Sequence, residues 1–162
     1  MKKTLFLWMP ILLILAIIFA FSSQPYKDQD ITPWLQALEE SNFLHSFLSP
    51  VSFIYAGKEI SVQALGVAHF IEFFIRKASH LTIFFILAFF TIRAVRNYIN
   101  STVKAIVISF LFVMIYAILD ETHQLFTNGR TPLKSDVVVD CVGGCLGLLF
   151  YKIRKYKIFQ LR

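Results

Sequence analysis

The chain has 162 residues, of which 57% are hydrophobic, 18 are Phe and only 16% are charged. That excludes a single water-soluble core, since ordinary globular domains carry roughly 25% charge, and the surplus apolar surface calls for lipid. The net charge of +6 is not a nucleic-acid signal, because it resolves into a loop asymmetry of the kind that orients membrane proteins, plus a basic tail.

Residues 1–155 read as one membrane domain, followed by a basic tail over 156–162. A hydrocarbon core of about 30 Å takes roughly 20 apolar residues per helix. The first such run, about 5–22, follows Lys2 and Lys3 and tolerates Pro10. A cleavable signal peptide is the rival reading of residues 1–24, but the apolar stretch is long and the cleavage site poor, so retention as an anchor is expected.

An insertion over residues 25–77 follows, expected outside the membrane. Pro33 to Leu48, with Thr32 as N-cap and Trp34, Leu35, Leu38, Phe43 and Leu44 in helical spacing, predict a short helix lying on the membrane surface. Ser52 to Tyr55 and Lys58 to Ser61, around Ala56-Gly57, predict a small β-hairpin that needs helices or headgroups to rest on. From Ser61 the pattern turns helical again, with Glu72 four residues before Arg76, a spacing that suits an ion pair. Unbroken to Arg93 this helix would be about 50 Å long at 1.5 Å per residue. A bend is therefore expected between Arg76 and Ser79.

Three more spans are predicted, over about 78–95, 104–120 and 136–151, the last two short. Loop charges give an orientation. Lys2, Lys3, Arg93, Arg96, Lys104 and the bases from Lys152 to Arg162 lie on one side with no acid among them; the other six bases and all ten acids lie on the other side or just inside a helix there. The expectation is an all-α protein of the bacterial plasma membrane with four transmembrane helices, both termini in the cytoplasm, and a small external helix and β-hairpin. In the last span Cys141 and Cys145 sit among glycines, and the G-x-x-x-G pair Gly143/Gly147 offers a helix-packing face, within the chain or for a homodimer.

This topology gathers polar residues from distant stretches at the outer ends of the helices. Ser22, Ser23 and Gln24 end the first span, Lys77 and His80 open the second, Asp120, Glu121 and Gln124 end the third, and Asp136 and Asp140 open the fourth, with Arg130 in the loop between the last two. Ionisable groups at membrane depth are costly and are usually paired or functional. Asp140 stands out, about 6 Å deeper than Asp136 along a helix, and needs a partner such as Lys77, Arg130 or His80. Helix N-termini together with Lys77 and Arg130 would suit a phosphate or carboxylate headgroup. A catalytic reading would use His80 as acid or base, oriented by Asp120 or Asp136, but it lacks a nucleophile beyond Ser22 and Ser23. No H-E-x-x-H or clustered Cys/His spacing supports a metal, and no cofactor is expected.

Phe21-Ser22-Ser23-Gln24, Arg76-Lys77-x-x-His80, Asp120-Glu121-x-x-Gln124 with Gly129-Arg130, and Asp136-x-x-x-Asp140-x-x-Gly143 together resemble the VanZ-like membrane proteins. The resemblance covers most of the chain except the insertion and the tail. It implies a small bacterial membrane protein related to one associated with resistance to the glycopeptide teicoplanin. It marks Ser23, Gln24, Lys77, His80, Asp120, Glu121, Gln124, Arg130, Asp136 and Asp140 as important without giving them roles. The leading expectation is an outward-facing pocket for an anionic envelope lipid or cell-wall precursor headgroup. The alternatives are an intramembrane hydrolase or transferase and a structural partner subunit.

Overall fold

The computed structural model describes residues 2–127 and 134–160. The first helix, α1 (Lys2–Ser22), is apolar all round. A single stripe, Ile11, Ile14 and Ile18, is buried, while Leu5, Phe6, Met9, Leu12, Leu13, Phe19 and Phe21 are each more than half exposed. A helix with such an outer face has no place in water.

The insertion begins with a 3-10 turn, Tyr26–Gln29, and then α2 (Thr32–Leu35), with Pro33 in its first turn, where its missing N–H costs nothing. Asp30 rather than Thr32 organises this start: its Oδ1 accepts from the Thr32 backbone N–H (2.8 Å) and hydroxyl (2.6 Å). The single surface helix predicted from Pro33 to Leu48 is in fact interrupted. A 3-10 turn over Gln36–Leu38 ends it, and α3 (Asn42–Leu48) restarts with Ser41 as N-cap. The chain leaves helical geometry at Ser41 (φ −79°, ψ 98°), while Glu39, in the gap between them, directs its side chain elsewhere in the fold.

Strands β1 (Ser52–Tyr55) and β2 (Lys58–Ser61) pair antiparallel as the sequence predicts, with Phe53 opposite Ile60 and Tyr55 opposite Lys58. Ala56 and Gly57 both have positive φ, 50° and 77°, which is the turn geometry that joins two strands with the right twist. The hairpin rests its Phe53, Tyr55 and Ile60 face on Phe70 and Phe73 of the next helix, forming a small second core with Val62, Val67 and Leu44.

That helix, α4 (Val62–Val95), is the spine of the molecule. Ser61 caps its start, accepting from the Ala64 N–H at 3.1 Å. The helix is interrupted at Gly66 (φ 78°, ψ 166°), ten residues before Arg76, and not over Arg76–Ser79 as the length argument predicted. There the Glu39 carboxylate accepts from the N–H groups of Val67 (2.9 Å) and Ala68 (3.2 Å), acting as the cap for everything that follows. The bend is unnecessary because the first part of α4 packs on β2, α2 and α3, so the excess length is absorbed by the insertion.

Two further helices complete the bundle, α5 (Thr102–Gln124), capped by Ser101, and α6 (Lys134–Gln160). Both α1 and α5 lean on α4, and α6 packs on α4 and α5, around a core of Ile14, Phe84, Leu87, Ala88, Val113, Ala117 and Leu148. The contact of α4 with α6 is the most extensive, and glycine makes it so. A Cβ on Gly143 would lie 2.3 Å from the Leu81 carbonyl oxygen, and one on Gly147 2.3 Å from that of Phe85. The G-x-x-x-G face is thus occupied within the chain, and a homodimer would have to use another surface. Cys141 and Cys145 are free thiols on the same helix.

Among the described residues, α1, α4 and α5 are each long and apolar enough to cross a membrane. The last helix differs because Lys134, Asp136 and Asp140 enter at one end and Lys152 and Arg154 at the other, so that its apolar core is shorter. Its Val138, Val142, Leu146, Leu149 and Phe150 are nevertheless exposed, like the outer faces of α1 and α5.

Candidate functional site

The polar residues read from the sequence collect around the upper ends of α1, α5 and α6 and the middle of α4. They fall into three groups. In the first, Lys77 Nζ donates to Asp136 Oδ1 at 2.7 Å, joining α4 to α6. The Tyr55 hydroxyl of the hairpin donates to the same oxygen at 2.7 Å, and the ammonium lies 4.8 Å from the Tyr55 ring centroid and 5.5 Å from that of Phe73. Burial and the Asp136 hydrogen bond push the Tyr55 phenol well above its ordinary range, so it stays a donor.

The second group lies deeper. His80 Nδ1 and Asp140 Oδ1 are 3.2 Å apart. Asp140 is fully buried, and its Oδ2 has no hydrogen-bond partner among the described residues. Asp120, on α5, completes the cluster: one donor atom each from His80, Asp120 and Asp140 lies within 4.8 Å of the others. Gln124, one turn beyond Asp120 toward the end of α5, donates its Nε2 to Asp120 Oδ2 at 3.0 Å. His80 is thus oriented by Asp140; Asp136, the other carboxylate of α6, is engaged by Lys77 and Tyr55.

The third group ties α1 to α5. Buried Ser22 donates to the Asp120 carbonyl at 3.4 Å and lies 3.3 Å from His123 Nδ1, while Thr127 donates to the Ser22 carbonyl at 3.1 Å. Ser23 turns back to the Phe19 carbonyl of its own helix and is exposed. Exposed Gln24 accepts from Gln29 at 3.4 Å. Glu121 is buried on α5. Arg130 lies outside the described residues.

Two cavities open onto these groups. The larger, about 510 Å³, is lined by polar residues that include Ser22, Gln24, Asp28, Arg76, His80, Asp120 and Gln124 and by the apolar Ile17, Ile18, Phe21, Ile75 and Ile83. The smaller, about 320 Å³, is lined by Tyr26, Tyr55, His69, Glu72, Lys77 and Asp136. Arg76 and Gln124 belong to both.

Arg76 is the residue that sequence reasoning misplaced. Its spacing from Glu72 suggests an ion pair, yet Glu72 Oε2 accepts from the Tyr26 hydroxyl at 3.1 Å, and the Arg76 guanidinium stacks 4.7 Å over the Tyr26 ring. Among the described residues it forms no salt bridge. The only signal was the Tyr26 position, about fifty residues away in a segment with no periodicity to place it.

The fold and this cluster define a small, mostly helical membrane protein with a polar, partly buried site at one end of its bundle. The chain belongs to the VanZ/LLP1 family, whose family model matches residues 7–155. No curated protein and no solved structure matches it.

Proposed function

We propose that this protein crosses the bacterial plasma membrane four times, with both termini in the cytoplasm, and that its larger cavity receives the anionic headgroup of an envelope lipid or lipid-linked cell-wall precursor. The observation that carries this reading is Arg76, a guanidinium that forms no salt bridge among the described residues, in the lining of a cavity that also holds isoleucine and phenylalanine side chains. That mixed lining suits an amphiphile. A guanidinium fork binds phosphate or carboxylate oxygens in pairs, and the apolar lining residues would accept the first part of a chain. Lys77 contributes differently from what the sequence suggested: its charge is balanced by Asp136, so it holds α4 to α6. Ser22, Gln24 and Gln124 supply hydrogen-bonding groups around the headgroup.

The test is the lipid retained by the full chain purified in mild detergent, identified by mass spectrometry beside the Arg76→Ala variant. Enrichment of one anionic lipid over the bulk membrane, lost in the variant, supports the reading. A profile equal to the bulk in both proteins overturns it. An effect on the envelope would appear as altered susceptibility to teicoplanin on expression, abolished by Arg76→Ala at equal protein level.

A second reading is an intramembrane hydrolase or transferase, favoured by the His80–Asp140 pair beside Asp120 at the cavity wall. Turnover of the co-purified lipid, abolished by His80→Ala with binding kept, distinguishes an enzyme from a binder.

A further inference from the structure

We infer that His80, Asp120 and Asp140 form a binding site for one divalent transition-metal ion, of the Zn²⁺ or Mn²⁺ kind, open toward the larger cavity. The three donors come from three different helices, α4, α5 and α6, and one donor atom of each lies within 4.8 Å of the others. Ligands about 2.0–2.2 Å from a shared tetrahedral ion are about 3.4 Å apart, so the widest pair must close by at most about 1.4 Å, which side-chain rotation can supply.

Asp140 supplies the second, independent observation. It is 0% exposed, yet its Oδ2 has no hydrogen-bond partner among the described residues. A carboxylate oxygen left bare at membrane depth is unfavourable, and a metal ion satisfies it directly. The donor set agrees: imidazole and carboxylate are ligands that divalent transition-metal ions take, and a low-dielectric setting strengthens their attraction for a cation. An imidazole in the set favours a transition metal over Mg²⁺ or Ca²⁺. Gln124, donating to Asp120 Oδ2 at 3.0 Å, fixes that carboxylate from outside, as supporting partners of metal ligands do.

His80 and Asp120 both line the 510 Å³ cavity. Three protein ligands leave at least one coordination position, and it would face that space. Water or the oxygen of an anion could occupy it, so the ion and Arg76 would address one bound group from two sides. The metal site does not depend on the headgroup reading, because metal content is measured without lipid.

The test is elemental analysis of the full chain, purified in detergent through a metal-free affinity tag, together with Co²⁺ loading followed by visible absorption. Melting with and without chelator is measured in parallel. About one equivalent of retained metal, a tetrahedral or five-coordinate Co²⁺ spectrum and a melting temperature lowered by chelator are expected. Asp140→Asn, which keeps the shape and removes the charge, should weaken binding at least tenfold. Should that variant fail to fold, Gln124→Ala, which leaves all three donors in place, should weaken metal binding by a smaller factor. Substoichiometric metal with no Co²⁺ spectrum and no response to Zn²⁺ or Mn²⁺ overturns the proposal, as does equal metal binding by wild type and Asp140→Asn.

Discussion

Lys77 on α4 and Asp136 on α6 meet at 2.7 Å, with the Tyr55 hydroxyl on the same carboxylate oxygen. Three elements that share no local sequence are clamped there: the spine helix, the last helix and the external hairpin. About a fifth of each charged side chain is exposed, so the pair lies between a surface contact, worth little, and a buried one. A double-mutant cycle with Lys77→Met and Asp136→Asn should give a coupling of about 1–3 kcal/mol. Tyr55→Phe alone should cost about 1 kcal/mol, read by denaturation in detergent.

Glu39 and Gly66 form a second long-range device. The carboxylate caps the N–H groups of Val67 and Ala68, and a Cβ on Gly66 would lie 2.5 Å from Glu39 Oε1. Glu39→Ala should destabilise by about 1–2 kcal/mol. Gly66→Ala should cost more, because it adds a strained positive φ, about 1–3 kcal/mol, to the clash. Faster amide exchange at Val67 and Ala68 would report the loss of the cap, and unchanged exchange in Glu39→Ala would refute its role.

The glycines of α6 should differ among themselves. Gly143→Ala meets a backbone carbonyl at 2.3 Å and must push α6 from α4, whereas Gly144→Ala meets only the Val113 Cγ1 at 2.8 Å, which a side-chain shift can relieve. A loss of about 1–3 kcal/mol is expected for the first and a smaller one for the second. Thermal melting in detergent ranks them; equal losses would contradict the packing.

Asp30 gives a pH dependence. The Thr32 hydroxyl and N–H hold its carboxyl below the ordinary value, so its contribution to the start of α2 is complete above the unfolded pKa, near 4. It is lost as pH falls through the lowered folded value. Thr32→Val should bring the Asp30 titration, followed by NMR, back toward the ordinary range.

Topology is tested by labelling. In a Cys141→Ser, Cys145→Ser background, Lys58→Cys should react with an impermeant maleimide on intact cells, and Lys155→Cys should react only after lysis. The opposite pattern would reverse the orientation proposed above.

The sequence by itself determined the solvent, the element types and the gathering of polar residues near helix ends. Apolar run length, the Ala56-Gly57 turn and the alternation around it are local properties, and a local window reads them. The tertiary structure alone decided the partners. Glu39 caps Val67 and Ala68 far along the chain, Arg76 leaves Glu72 for Tyr26, and Gly143 serves α4 of its own chain. His80, Asp120 and Asp140 form one cluster although sixty residues of chain separate the first from the last. A buried charge takes whichever counterpart the packed helices bring within hydrogen-bonding distance, and that choice is fixed by the crossing of helices rather than by spacing along the chain.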